Sequence, residues 1–315
     1  MSIFINSAVC SNKGRVRTNN EDNFYLDGLF MDETKRDQGG VFEKNDLTQG
    51  LFAVCDGMGG EEAGEEASLL AVRICDRYRL EGMSTQPEDL ARFLKDGCKE
   101  VLQQARQNDN HSGATVSLLI ATEDGLYAAN MGDSRIYRLV GGDIEQVSED
   151  HTEIQRLLRK RLITQAQAKA HPKRHMILQY WGMPLGIAPF KPFISRRIPY
   201  NVGERFLICS DGLTDMVDNS RIAQLLRQRK NVKEVTQDLV NEALQNGGKD
   251  NVTVMVLEIC DSECTVEPNQ ALYSVASIKK LFLSVKAWWF TTLVLGAVSI
   301  CVLIRWAVTI FQGIK

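Results

Sequence analysis

Proline is scarce in this 315-residue chain, at 7 residues, and histidine is scarcer, at 4. With 44% hydrophobic and 24% charged residues, the low proline content excludes a collagen-like or disordered polymer. There is no basic excess: 37 lysines and arginines against 40 acidic residues leave a net charge of -3, so no bulk field favours nucleic acid. The chain does not open on a charged leader followed by an apolar core, and no cleaved secretory signal is expected. Its 8 cysteines form no C-x-x-C pair, and the nearest approach, Cys260 with Cys264, has no histidine companions. Scattered among apolar runs, they read as reduced, buried thiols in a cytosolic domain rather than as zinc ligands or a disulfide framework. Also missing are a phosphate loop with its lysine, an EF-hand loop and a C-x5-R thiolate loop.

What is present begins with short apolar runs: 51–55, 114–122, 125–140, 205–210 and 252–259. The turn Glu123-Asp124-Gly125 joins the second to the third, and Gly141-Gly142-Asp143 leads from the third into a further short strand. Such hairpin connections make much of the sheet antiparallel. Helical spacing of apolar residues occupies Glu61–Leu80, Pro87–Gln107 and Val232–Gln245. Hairpins interleaved with a few long helices, without regular βαβ alternation, predict an α+β fold with helices packed on sheets. One catalytic domain is expected over residues 1–260.

A different composition follows. From Ala287 to Ile304 no residue is charged, and at about 1.5 Å per residue this stretch approaches the roughly 30 Å of a hydrocarbon core. Trp288, Trp289 and Trp306 lie near its edges, where aromatic belts form. Lys279, Lys280 and Lys286 precede it, against Arg305 and Lys315 after it; by the positive-inside rule the preceding domain stays in the cytoplasm. The expectation is a single-pass anchor in the cell membrane, a transmembrane helix at 287–311 joined by a tether at 261–286. The competing reading is a buried core helix.

Chemistry is signalled by carboxylates at strand ends. The run 51–55 leads into Asp56-Gly57-Met58-Gly59-Gly60, and 205–210 leads into Asp211-Gly212. Asp250-Asn251 precedes the run 252–259, Asp133 sits in Met131-Gly132-Asp133-Ser134, and Glu21-Asp22-Asn23 introduces Phe24-Tyr25-Leu26. An isolated Asp-Gly is ordinarily a turn, and a glycine-rich stretch before a helix can cradle phosphate, although the spacing here differs. An aspartate abutting a buried strand, however, is costly unless paired or metal-bound. Several such positions without clustered histidine or cysteine describe a hard, oxygen-ligated cation, Mg2+ or Mn2+, and more than one ion.

The segments 14–22, 54–60, 112–120, 130–139, 208–215 and 249–257 (GRVRTNNED, VCDGMGG, SGATVSLLI, NMGDSRIYRL, ICSDGLTD and KDNVTVMVL) together resemble, in collinear order, the bacterial branch of the PPM/PP2C family of metal-dependent protein serine/threonine phosphatases. The resemblance spans about residues 6–260. It implies an α-β-β-α sandwich, two antiparallel sheets flanked by helices, with two or three Mn2+ or Mg2+ ions in a cleft at one end. By the same resemblance Asp56 bridges two ions, Gly57 offers its carbonyl, and Asp211 and Asp250 complete the first shell. Glu21 holds bound water, Asp22 stands behind it, Asp133 with Asp211 matches a third, weaker site, and Arg17 clamps phosphate. The stretch from His151 to about Pro184 resembles the family's flap. The implied reaction is hydrolysis of phosphoserine or phosphothreonine on protein substrates by a hydroxide shared between two ions, opposing a Ser/Thr kinase at the membrane. Met58 stands where eukaryotic relatives carry a histidine, which leaves the proton donor open; His151 is one candidate, and its alternative role is a hydrogen-bonded residue at the base of the flap. His171 and His175 are assigned to the surface or flap. The alternative function is a catalytically silent, membrane-tethered module that binds phosphoproteins.

Overall fold

The long apolar strands alternate not between core and water but between two cores. In this computed structural model, which describes residues 3–32, 40–59, 62–186 and 189–261 (apart from the side chains of Glu62 and Lys169), twelve strands form two antiparallel sheets. They are β1 (Ile3–Asn12), β2 (Asp22–Leu26), β3 (Gly40–Leu47), β4 (Gly50–Met58), β5 (Gly113–Ala114), β6 (Val116–Thr122), β7 (Gly125–Met131), β8 (Arg135–Val140), β9 (Asp143–Gln146), β10 (Phe193–Ile194), β11 (Arg205–Cys209) and β12 (Val252–Asp261). The order is β3-β1-β12-β11-β8-β9 in one sheet and β10-β7-β6-β4-β2 in the other, with β5 beside β4. The helices are α1 (Glu62–Leu80), α2 (Pro87–Gln107), α3 (Glu153–Arg159), α4 (Gln165–Lys169), α5 (Asp211–Thr214), α6 (Asn219–Leu226) and α7 (Val232–Gln245).

Three apolar layers hold these elements together. Phe52, Val54, Leu119, Phe206, Ile208, Met255 and Leu257 meet between the sheets. Their sequence neighbours point the other way: Leu51, Ala53, Val116 and Leu118 face α1 and α2, while Leu207, Val252, Val254 and Val256 face α6 and α7. Because successive side chains of a strand point to opposite faces, a strand with helices on one side and a sheet on the other is apolar at nearly every position. The runs read from the sequence therefore have a four-layer explanation, the expected α-β-β-α sandwich.

The helices carry one apolar stripe each. In α2 the buried residues are Leu90, Phe93, Leu94, Gly97, Cys98, Val101 and Ala105, a spacing of three and four that makes one face. Pro87 opens that helix, where a missing N–H costs nothing, and the Asn231 side chain caps α7 by accepting from Glu234 N–H at 2.9 Å.

Two expectations change. The run 125–140 is not one strand: β7 and β8 belong to different sheets, and the chain crosses between them at Gly132-Asp133-Ser134. The run 114–122 is broken at Thr115, which leaves the ladder to bond Asp56 instead. Edge strand β3 and the short helices α3 to α6 carried no period strong enough to read. Every described strand and helix belongs to one compact unit, Met1–Thr265. The expected transmembrane helix at 287–311 lies outside the described residues, as does the tether beyond Asp261. Among the described residues no helix is long and apolar enough to cross a membrane.

Phe206 is fully buried between the sheets. Phe206→Ala should lower unfolding free energy by about 3–5 kcal/mol, read as a shift of the urea midpoint; a change under about 1 kcal/mol would contradict the inter-sheet core.

Candidate active site and metal centre

Strand pairing brings the first carboxylates together. Asp22 opens β2 directly opposite Asp56 near the end of β4. Asp211 is the first residue of α5, two residues after β11 ends, and Asp250 stands just before β12. Since β11 and β12 are neighbours, these two strand ends lie side by side. Asp133 comes from the crossing between sheets. A cleft of about 920 Å³ is lined by Asp133, Asp211 and Asp250, with Asp150 and Asp215 beyond them.

Backbone contacts fix this geometry. Gly57 N–H donates to the Glu21 carbonyl at 3.1 Å. A Cβ on Gly57 would stand 2.0 Å from the Gly64 carbonyl oxygen of α1, so no other residue lets the helix approach the strand this closely. The Glu21 carboxylate in turn occupies the space where a Gly64 side chain would project. It rests at the first turn of α1, the positive end of the helix dipole. Asn251 fastens the N-terminal loop: its Oδ1 accepts from Glu21 N–H at 2.8 Å, and its Nδ2 donates to the carbonyls of Lys13 and Asn19 at 3.0 and 2.8 Å. Thr115 joins the two sheets' loops. Its N–H donates to Asp56 O at 2.8 Å, its hydroxyl accepts from Asp56 N–H at 2.9 Å, and the same hydroxyl pairs with Ser134 at 2.7 Å.

Electrostatically the site is frustrated as a bare protein. Burial raises the Asp56 carboxyl well above the usual range, and the charges of Asp22, Asp211, Asp133 and Asp250 raise it further. Asp211 is raised in the same way, by burial and then by Asp133, Asp215, Asp250 and Asp22. Burial takes Asp22 to about 7 against the bond from Ser210 Oγ, at 2.8 Å, which lowers it. Asp133 also reaches about 7, from burial and the Asp150 charge. The Oδ1 atoms of both Asp22 and Asp133 are buried without a hydrogen-bond partner. Orphaned carboxylate oxygens among mutually repelling neighbours, with oxygen as the shared donor, fit hard divalent cations. Arg17 stands at the rim, half exposed, its Nη2 donating to Asp250 Oδ2 at 2.9 Å.

All eight residues singled out from the sequence (Arg17, Glu21, Asp22, Asp56, Gly57, Asp133, Asp211 and Asp250) thus lie at one end of the sandwich. His151 does not face it as a proton donor. It is buried, its Nδ1 accepts from Gly132 N–H at 3.2 Å, its carbonyl accepts from Leu178 N–H at 2.7 Å, and burial lowers its pKa. It ties the Asp133 loop to the base of the flap. Sequence reasoning assigned no role to Asn251, Thr115 or Ser210, whose signals are ordinary Ser, Thr and Asn. It also missed Asp215, and it left His175 as a flap residue although a ligand atom of each lies within 4.8 Å of Asp211.

Such a site, carboxylates at the strand ends of an α-β-β-α sandwich, defines a class of metal-dependent hydrolase. The profile of the protein phosphatase 2C family matches residues 32–246. The serine/threonine phosphatase stp of Listeria monocytogenes is 31% identical over 255 residues, 79% of this chain and 93% of that protein. The catalytic domain of the serine/threonine phosphatase PstP, solved in complex with 2 manganese ions, superposes with a TM-score of 0.66 at 29% identity, over 82% of this chain and 100% of that one. Stp1 from Staphylococcus aureus gives a TM-score of 0.66 at 29% identity, over 81% and 95%. The chain belongs to the protein phosphatase 2C family.

The raised carboxyls set a pH dependence for the metal-free protein. Asp22 and Asp133 have folded-state values of about 7 against about 4 when unfolded, so between these pH values the native state binds more protons than the unfolded one. Stability of the metal-free protein should therefore fall as pH rises from about 4 to about 7, and Mn2+ should flatten the decline. Thermal melts across that window, with and without Mn2+, check this; a metal-free melting temperature that climbs steadily through it would contradict the assigned shifts.

Proposed function

We propose that this chain hydrolyses phosphoserine and phosphothreonine on proteins at the cytoplasmic face of the cell membrane, opposing a Ser/Thr kinase there. The activity itself, metal-dependent serine/threonine protein phosphatase of the 2C type, follows from family membership. The observation that carries the chemistry is the set of mutually repelling carboxylates with two orphaned oxygens.

Asp56, Asp211 and Asp250, with the Gly57 carbonyl, would hold the first ions, Glu21 would hold water beside them, and Asp133 with Asp211 would hold a third. Asp22 stands behind Asp56, opposite it in the ladder and bonded by Ser210. Bound Mn2+ or Mg2+ supplies Lewis acidity, lowering the pKa of water and offsetting charge on the phosphoryl oxygens. The protein contributes position. Thr115 and Asn251 keep the loops of Asp56 and Glu21 in place through backbone bonds, so little reorganisation remains for the reaction. Arg17 offers at the rim a planar fork that matches two phosphoryl oxygens.

A thiolate route has no support in the surroundings of the cysteines. Among the described residues all six are buried. Burial pushes Cys10 up to about 11 and Cys209 up to about 12. Cys55, next to Asp56, is raised by Cys75 and by burial. Thiols raised in this way are not nucleophiles at neutral pH.

The membrane part of the reading rests on the uncharged run Ala287–Ile304 and the lysines before it. An anchor raises the concentration of the enzyme near membrane-bound substrates.

Asp211→Asn should lower kcat on a phosphothreonine peptide with Mn2+ by more than about 100-fold while leaving circular dichroism intact; near-native turnover would defeat the metal assignment. Deleting residues 286–315 should move active enzyme from the membrane pellet to the supernatant. A truncated chain still in the pellet, or a full-length chain already in the supernatant, would refute the anchor.

A further inference from the structure

The cleft brings together three side chains from separate parts of the chain: His175, in the turn after α4, Asp211 at the start of α5, and Asp215 just beyond its end. One ligand atom of each lies within 4.8 Å of the other two. His175 Nδ1 stands 3.8 Å from Asp215 Oδ2. Asp133 lines the same cleft, is 8% exposed, and keeps its Oδ1 buried without a partner. Among the described residues neither Asp133 nor Asp211 has a lysine or arginine ion pair. Two independent features thus point to a cation: a nitrogen and two carboxylates at ligand spacing, and an orphaned buried oxygen on a residue that lines the same cleft.

We propose that His175 and Asp215 are further ligands of a divalent ion held at Asp211 opposite Asp133, so that the ion fastens the flap across the cleft and is Mn2+ in preference to Mg2+. This takes from the phosphatase reading the assignment of Asp133 and Asp211 as metal ligands. The discrimination follows from donor chemistry. Mg2+ demands oxygen ligands in near-ideal octahedral geometry and keeps its waters, whereas an imidazole nitrogen suits transition-metal ions.

The flap is built for such a fastening. Its base is pinned to the body: Glu153 N–H donates to the Met176 carbonyl at 2.9 Å, and Leu178 N–H to the His151 carbonyl at 2.7 Å. His175 immediately precedes this base, at the end of a turn closed by Arg174 N–H to the His171 carbonyl at 3.1 Å and Met176 N–H to the Lys173 carbonyl at 3.1 Å. Holding His175 therefore restrains the turn 171–175. His175 Nε2 accepts from Arg174 Nε at 2.8 Å. Coordination through Nδ1 places the ring proton on Nε2 and turns the exposed Arg174 side chain into solvent.

Trypsin reads this directly, because the exposed Lys173 and Arg174 precede His175. The full chain is digested in chelator, in Mg2+ and in Mn2+, and cleavage after residues 173 and 174 is timed by mass spectrometry. Mn2+ should slow that cleavage about tenfold or more relative to chelator, and equal Mg2+ should not. His175→Ala and Asp215→Asn, each with a native circular dichroism spectrum, should lose this protection and bind one fewer Mn2+ per chain by elemental analysis. Protection that persists in both variants, equal protection by Mg2+, or cleavage indifferent to Mn2+ would overturn the proposal. Phosphopeptide hydrolysis by the undigested wild-type samples separates the two readings. Mn2+-dependent turnover without flap protection defeats the latch alone, and absence of both turnover and Mn2+ binding defeats the phosphatase reading with it.

Discussion

Asp22, Asp56, Asp133 and Asp211 are held where protein displaces water, and burial raises the proton affinity of each, the charges of the other three raising Asp56 further. Left to themselves such groups protonate or push the fold apart, because a charge removed from water is costly unless something of opposite sign meets it. The rest of the molecule holds them together until a cation does so. The ladder that sets Asp22 opposite Asp56, the glycine contact that admits α1, and the Asn251 bonds to the N-terminal loop all converge on the same end of the sandwich.

Keeping like charges close requires a stiff platform, and the layered core supplies it. Strands with a helix layer on one face and a second sheet on the other are apolar at nearly every residue, so a shift of register would transfer a complete side-chain set into the wrong layer. The carboxylates sit at the strand ends, where this constraint stops and loops begin. There the bonds become polar and specific. Thr115 leaves its strand to bond both backbone groups of Asp56 and the hydroxyl of Ser134, linking loops that carry two of the carboxylates.

The flap belongs to a softer regime. Helices α3 and α4 are short, and α3 has no buried residue, so contacts with the body concentrate at the base, around His151, Thr152, Met176 and Leu178. A segment pinned at its base and lightly packed beyond is the part of a fold whose position a ligand can set. His175 and Asp215 put a nitrogen and a carboxylate within reach of Asp211, which makes metal occupancy a natural control on that position. His151, buried and bonded to Gly132, connects the same base to the Asp133 loop.

The sequence by itself determined the α+β class, the long helices and the identity of the crowded carboxylates. These are local signals: α2 and α7 span the residues their spacing indicated, and an aspartate following an apolar run is conspicuous because burial penalises it. The stretch Ala287–Ile304 was likewise legible as an uncharged run, on which the proposed anchor rests. Only the tertiary structure decided which strands share a sheet. The run 125–140 looks continuous, yet its halves lie in opposite sheets, since the pattern of a strand buried on both faces does not say which neighbour buries it. Nor could spacing reveal Thr115, Asn251 or the meeting of His175 with Asp215. Hydrogen bonds and ligand sets made across long stretches of chain leave no period in the sequence, because their geometry exists only once the layers have packed.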